Sequence, residues 1–173
     1  DLAPLARRIA ARAPALGRVL LIDGDGDEAD ALEPLLAAAE DTAVWGGFDE
    51  NAPSGLCFTS GTTGAPKGVT YTHRSSFLHT LRVLQADVMA FVATDAILMA
   101  VPMFHANAWG LPFAAPAVGA RLVLPGRQLD GARLAALITG EGVTVAVGVA
   151  TVWLGLAEHL EETGGSVPSL KRV

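Results

Sequence analysis

Residues 58–68 form the stretch with the clearest capacity for chemistry, and they read Phe-Thr-Ser-Gly-Thr-Thr-Gly-Ala-Pro-Lys-Gly. The glycines leave the backbone free of bulky side chains, so its N–H groups can approach a ligand closely. The hydroxyl groups and the ammonium group of Lys67 add further hydrogen-bond donors. This combination of donors suits a polyphosphate.

The loop differs from the Walker A phosphate loop. That pattern requires glycine where this chain has Pro66 and a hydroxyl residue where it has Gly68, and a helix follows its lysine. Here residues 55–58 before the loop and 69–72 after it have the composition of β-strands. We therefore predict a strand, a phosphate-binding loop and a second strand. A flexible hairpin loop without a ligand is the alternative.

A second group with chemical potential lies at residues 102–112, which read Pro-Met-Phe-His-Ala-Asn-Ala-Trp-Gly-Leu-Pro. His105 and Trp109 have the spacing of one helical turn, which predicts that both side chains face one pocket. Gly110 leaves space beside the indole ring. A tryptophan packed between a helix and a sheet is the alternative interpretation.

Strands and helices alternate along the chain, which predicts an α/β fold with a largely parallel sheet and flanking helices. The predicted strands are 18–22, 55–58, 69–72, 96–101, 121–124 and 143–147. The predicted helices lie between Asp1 and Pro14, at 29–40, from His73 through a core stripe of Phe77, Leu81, Leu84 and Val88, after Asp130 as N-cap, and at 152–162. We expect one segment at 1–54, ending in a polar linker, and another at 55–173 that contains the loop.

The composition excludes several classes of protein. Apolar residues make up 51% of the 173 residues and charged residues 17%, which is typical of an ordered globular protein. A net charge of −6 without a Lys/Arg cluster argues against nucleic acid or an anionic membrane as partner. One cysteine, Cys57, rules out an intrachain disulfide and favours a cytoplasmic location. We expect neither a secretory signal nor a membrane-spanning segment.

The acidic run at residues 23–27 imitates a calcium-binding loop. The EF-hand pattern requires glycine where this chain has Glu28 and a bidentate glutamate where it has Pro34. Neither residue matches the pattern, so we predict an exposed turn at residues 23–27 and no metal.

Residues 58–68 resemble the signature of the adenylate-forming superfamily, which includes acyl-CoA synthetases, luciferases and peptide-synthetase adenylation domains, and they match every fixed position. Residues 102–112 resemble the motif of that family that begins the helix lining the carboxylate pocket. Residues 143–154 resemble a third segment of the pocket wall, with Ala150 where the family usually has proline. Residues 49–51 and 71–75 resemble the branch of medium- and long-chain fatty acyl-CoA synthetases.

The resemblance implies a two-step reaction. A carboxylate attacks the α-phosphate of Mg-ATP to give an acyl-adenylate and pyrophosphate, and the thiol of coenzyme A then displaces AMP. The implied ATP phosphate site consists of Thr59, Ser60, Gly61, Thr62, Thr63, Gly64 and the catalytic Lys67, with Thr59 as the Mg²⁺ contact. The implied acyl and adenylate pocket contains His105, Ala106, Trp109 and Gly148.

The pocket motif also implies the class of substrate. Amino-acid adenylation domains have an aspartate where this chain has His105, because a bound ammonium needs a buried counter-charge. Trp109 and Phe113 offer apolar surface, which suits the hydrocarbon tail of a fatty acid. An aryl- or short-chain acyl-CoA ligase and a non-catalytic nucleotide-binding fragment are the alternatives.

The resemblance further implies that this chain is part of a larger N-terminal domain. The family's magnesium-binding glutamate, ribose-binding aspartate and adenylation lysine belong to downstream motifs that have no counterpart in these residues. We therefore expect the chain alone to be inactive and its partner to be the remainder of the same polypeptide. The resemblance leaves open whether the whole protein forms a homodimer.

Overall fold

A computed structural model describes residues 2–22, 30–44, 46–59 and 64–173. The chain divides into two compact units, residues 1–47 and residues 48–173. The acidic run at 23–27 lies outside the described residues, so the prediction of a metal-free turn stays a prediction.

In the part of the first unit that the structure describes, there are two short helices, α1 at Ala3–Ala10 and α2 at Leu32–Ala38. The predicted strand at 18–22 is wrong, since Leu21 forms only an isolated parallel bridge with Ala31. The Leu21 N–H donates to the Asp30 carbonyl at 2.8 Å and the Leu21 carbonyl accepts from the Leu32 N–H at 2.9 Å. A strand needs a longer neighbour than this to extend its ladder of hydrogen bonds.

The second unit begins with an antiparallel hairpin of β1 at Pro53–Thr59 and β2 at Lys67–Thr72. Helix α3 follows directly at His73–Val83, because Thr72 and Ser75 form a reciprocal capping box. The remaining elements are β3 at Ala96–Met99, a turn at Ala106–Gly110, α4 at Leu111–Ala117, β4 at Arg121–Val123, α5 at Gly131–Gly140, β5 at Val145–Val147 and α6 at Ala150–Thr163.

A parallel sheet with the order β4-β3-β5 lies at the centre of this unit. Side chains alternate across β3: Ile97 packs in a core cluster with Leu111 of α4, whereas Leu98 packs with Ile138 of α5. Helices therefore cover both faces of the sheet, which confirms the predicted α/β class with a largely parallel sheet.

The direction in which successive strands are added to the sheet reverses after β4. The chain passes from β3 to β4 on one side and then crosses to β5 on the other side of β3, so the carboxyl ends of β3 and β5 border a topological switch point. Open α/β sheets bind ligands in the crevice at such a point. Gly148 lies at this edge, directly after β5.

The predicted core stripe on α3 is confirmed at Leu84, which packs against the core cluster, and is wrong at Phe77, Leu81 and Val88, which are exposed. Helix α3 ends at Val83, so Val88 lies beyond it, and the side chains of Phe77 and Leu81 are 62% and 49% exposed. The helix instead packs against the core through Val83. Spacing along a helix shows which side chains share a face but not what covers that face.

Two helix boundaries follow their sequence signals. The side chain of Asp130 accepts a hydrogen bond from the Arg133 N–H at 3.0 Å and caps α5, as predicted. Helix α6 ends at Gly164, which has a left-handed φ of 64°.

The described residues contain no helix long and apolar enough to cross a bilayer.

Candidate active site

The phosphate-loop hairpin places Thr59 and Lys67 opposite each other. Thr59 is the last residue of β1 and Lys67 is the first residue of β2, so they form the pair next to the loop at residues 60–66. Lys67 is exposed, and no ion pair within the described ranges involves it. The ammonium group of Lys67 and the hydroxyl group of Thr59 therefore belong to residues at the same end of the hairpin.

Part of the predicted loop lies outside the described residues, namely Ser60, Gly61, Thr62 and Thr63. Gly64 is described and is exposed, with a left-handed φ of 88° that favours glycine. The assignment of these residues to phosphate binding stays a prediction.

Residues Ala106–Gly110 form a left-handed turn. The φ angles of Asn107, Ala108 and Trp109 are 50°, 48° and 55°, and that of Gly110 is 79°. The predicted right-handed helical turn from His105 to Trp109 is therefore wrong. Each residue other than glycine in this conformation costs about 1–2 kcal/mol, so neighbouring groups must hold the turn.

Contacts from two other elements hold the turn. The Nε2 atom of His79 on α3 lies 3.1 Å from the carbonyl oxygen of Trp109. The thiol of Cys57 on β1 donates to the side-chain oxygen of Asn107 at 3.1 Å, and Ala108 is fully buried. Cys57 is itself buried and precedes Thr59 by two residues, which places both on the same face of the strand.

An inner cavity of about 360 Å³ lies between this turn, α3 and the hairpin. It is lined by Tyr71, Ser75, Ser76, His79, Ala106, Asn107, Trp109, Gly110 and Phe113. None of these side chains is an acid, a lysine or an arginine. The structure thus brings the predicted pocket residues Ala106 and Trp109 together around one largely apolar cavity.

Trp109 also borders a second cavity of about 300 Å³ at the edge of the sheet, and Gly148 lines this one. A side chain at position 148 would meet the indole ring of Trp153, since a Cβ atom there would lie 2.6 Å from its Cζ2 atom. His105 is exposed and lines neither cavity. Its predicted place in the acyl pocket stays a prediction.

Sequence reasoning missed His79 and Asn107 as pocket residues. A signal for His79 was present, since Ser75, Ser76 and His79 are polar at helical spacing on a helix that directly follows the hairpin. No comparable signal existed for Asn107, whose position depends on the left-handed turn.

The buried carboxylate of Asp95 lies at the amino end of β3, at the opposite end of this strand from the switch point. Asp95 is 8% exposed and accepts hydrogen bonds from the Val92 N–H at 3.0 Å, the Thr144 hydroxyl at 2.8 Å and the Arg172 guanidinium at 3.1 Å. Burial raises the pKa of Asp95, but these hydrogen bonds and the charges of Arg172 and Lys171 together lower it below its ordinary value. The group is structural, because it joins β3 to the segments at 144 and 172.

The chain matches the family described as AMP-binding enzyme over residues 3–173. It belongs to this family. The chain is 51% identical over 143 residues to the medium-chain-fatty-acid–CoA ligase of Ectopseudomonas oleovorans, covering 83% of this chain and 26% of the relative. It is 46% identical over 140 residues to the 3-methylmercaptopropionyl-CoA ligase of Ruegeria lacuscaerulensis, covering 81% of this chain and 26% of the relative.

A solved long-chain-fatty-acid-CoA ligase from Archaeoglobus fulgidus has the same fold. The TM-score is 0.74 at 24% identity, over 90% of this chain and 30% of that one. The chain spans about a quarter of the length of these curated relatives.

Proposed function

We propose that the full-length protein containing this chain activates a fatty acid with ATP and transfers the acyl group to coenzyme A. In the first step the carboxylate oxygen bonds to the α-phosphorus, and the bond from that phosphorus to the bridging oxygen breaks to release pyrophosphate. In the second step the thiol sulfur of coenzyme A bonds to the acyl carbon, the bond from that carbon to the phosphate oxygen breaks to release AMP, and the thiol proton passes to solvent. The observation that carries the proposal is the pairing of Thr59 with Lys67 at the ends of a loop that matches the family signature.

We assign the phosphates of ATP to residues 59–67. The ammonium group of Lys67 offsets charge that builds up on the leaving pyrophosphate, and the glycines Gly61 and Gly64 let backbone N–H groups approach it. Ser60, Thr62 and Thr63 supply further hydroxyl donors.

The residues present fit Mg²⁺ that arrives with ATP. Mg²⁺ prefers oxygen ligands and is commonly held by substrate phosphates with few protein groups. The hydroxyl of Thr59 is such a ligand, and the described residues include no cluster of three or more His, Cys, Asp or Glu that would hold a metal by itself. Bound there, Mg²⁺ would neutralise charge on the phosphates.

We assign the acyl group to the inner cavity. Ala106, Trp109 and Phe113 offer apolar surface, and Gly148 lies on the other side of the indole ring. The described residues of the lining include no carboxylate to pair with an ammonium group, and burying an unpaired charge is costly. This supports a fatty acid over an amino acid.

A ligase for a short carboxylic acid is the second candidate. The 46% identity to a relative named 3-methylmercaptopropionyl-CoA ligase favours it. The two candidates differ in how activity depends on the length of the acid, since each buried CH₂ contributes about 0.8 kcal/mol.

The test is to incubate the full-length protein with Mg-ATP, coenzyme A and linear acids from acetate to palmitate, and to measure AMP and acyl-CoA. We expect equal amounts of both products and a kcat/KM that rises about fourfold per added CH₂ until the pocket is full. A maximum at the shortest acids would support the second candidate. AMP formation that does not depend on any acid would contradict both.

We further propose a cytoplasmic location and a homodimer for the full-length protein. Cell fractionation and sedimentation of the purified protein test these two points independently of the activity.

A further inference from the structure

The side-chain amide of Asn107 joins the left-handed turn to strand β1. Its oxygen accepts a hydrogen bond from the Cys57 thiol at 3.1 Å. Its nitrogen lies beside Gly55, since a Cβ atom at that position would be 3.7 Å from Nδ2. The amide group therefore lies along β1 between two residues that share one face of the strand, because they are two positions apart.

The same face of β1 continues to the phosphate loop. Thr59 follows Cys57 by two residues and ends the strand. At about 3.4 Å per residue, the Cα atoms of these two residues lie about 7 Å apart. The turn is thus held on β1 at the neighbouring position, on the same face, to the residue that we assign to Mg-ATP.

Asn107 also lines the inner cavity, to which we assign the acid. Its φ of 50° is left-handed, a conformation that asparagine adopts more readily than most residues other than glycine. The contact from His79 joins the turn to α3 and does not involve β1. One side chain thus takes part in the turn, in the cavity and in the contact with the strand that leads to the phosphate loop.

Resting on the proposed function, we propose that Asn107 is a positioning residue that sets the place of the acid relative to the phosphates of ATP. The Cys57 thiol acts through it by fixing the orientation of the amide group. Formation of the acyl-adenylate requires the reacting atoms to lie about 3–3.5 Å apart, and a displacement of about 1 Å can cost about 10²-fold in rate. Loss of the contact with β1 should therefore lower the rate of the chemical step more than the binding of either substrate.

The test removes each side of the contact in the full-length protein and measures fatty-acid-dependent exchange of pyrophosphate into ATP. Asn107→Gly removes the amide group and keeps a residue that adopts left-handed φ without strain. We expect a kcat at least about tenfold lower in Asn107→Gly and in Cys57→Ala, with KM values for ATP and octanoate within about threefold of wild type. Cys57→Ser should keep kcat within about threefold, because its hydroxyl group donates to the same oxygen.

Ala90→Gly is the control for the glycine variant. Ala90 has a left-handed φ of 48°, but it lies outside the turn and lines neither cavity, so kcat and KM should keep their wild-type values. The double variant of Asn107→Gly and Cys57→Ala should be no slower than the slower single variant, because both changes break one contact.

Losses that multiply in the double variant would overturn the inference, since the two side chains would then act independently. A higher KM for octanoate at an unchanged kcat would also overturn it and make Asn107 a binding residue only. If Asn107→Gly did not fold, Cys57→Ala and Cys57→Ser would decide, and equal rates in these two would contradict the inference while leaving the proposed function intact. Wild-type protein without acid-dependent exchange would refute the proposed function, and the inference with it.

Discussion

The Nε2 atom of His79 lies 3.1 Å from the carbonyl oxygen of Trp109. A carbonyl only accepts, so Nε2 carries the proton in this contact. The hydrogen bond joins α3 to a turn whose left-handed φ angles are unfavourable for residues other than glycine. Helix α3 therefore places Trp109 between the inner cavity and the cavity at the sheet edge.

Gly110→Ala should destabilise the protein and weaken binding of the acid. A Cβ atom at this position would lie 2.7 Å from the Cδ2 atom of His79, and φ there is 79°. We expect a loss of roughly 2–4 kcal/mol, which combines backbone strain with overpacking. A thermal melt and the KM for octanoate measure the two effects.

Gly126→Ala is the matched control for that variant. Its φ of 68° carries the same backbone strain, but nothing lies within 4 Å of the added Cβ atom. Its loss should be about 1–2 kcal/mol with an unchanged KM. Equal effects of the two variants would show that the contact with His79 has no consequence.

Trp109→Ala should change the preference for chain length by more than it changes stability. The indole ring borders two cavities, so its removal enlarges the space available to the acid. Steady-state kinetics from acetate to palmitate, paired with a thermal melt, measure both quantities.

Phe91→Ala serves as the comparison, because its ring is buried in the core cluster and lines neither cavity. It should cost roughly 3–5 kcal/mol, as loss of a core aromatic ring does, and leave the preference unchanged. If Trp109→Ala behaved in this way, the ring would be a packing residue only.

Asp95→Asn should reduce stability at neutral pH. The folded state lowers the pKa of Asp95, so its stabilising contribution is present above the unfolded-state pKa of about 3.9. The contribution is lost as the pH falls through the lower folded-state pKa. The melting temperatures of wild type and variant should therefore differ at pH 7 and converge as the pH falls below about 4.

Asp87→Asn is the control for this prediction. Asp87 is exposed and lies 4.0 Å from Arg82, and such surface pairs contribute about 0–1 kcal/mol. A difference between Asp95→Asn and wild type that did not depend on pH would contradict the assignment of a charged Asp95.

The α/β class and several element boundaries could be predicted from sequence because their signals are local. The cap at Asp130 and the glycine at Gly164 act within one helical turn, and the apolar run around β3 is buried on both faces. Such signals depend on neighbours along the chain.

Other features depend on contacts that are distant in sequence. Asn107 and Gly110 are the residues of the turn at Ala106–Gly110 that favour left-handed φ. They give no signal for the same conformation at Ala108 and Trp109, which contacts with His79 and Cys57 on other elements stabilise. The stripe at Phe77 and Leu81 has the spacing of a core face, yet it lines a groove. The run at 18–22 has the composition of a strand, but among the described residues it pairs only through the isolated bridge of Leu21 with Ala31.

We propose above all that the loop between Thr59 and Lys67 binds the phosphates of ATP during activation of a fatty acid. The most direct measurement is fatty-acid-dependent exchange of pyrophosphate into ATP by the full-length protein. Lys67→Ala should lower the exchange rate by about 10²-fold or more, the scale expected for one preorganised charged donor. Lys171→Ala, at the other lysine of this chain, should leave the rate within about twofold. An unchanged exchange rate in Lys67→Ala would contradict the account and make the loop a structural feature only.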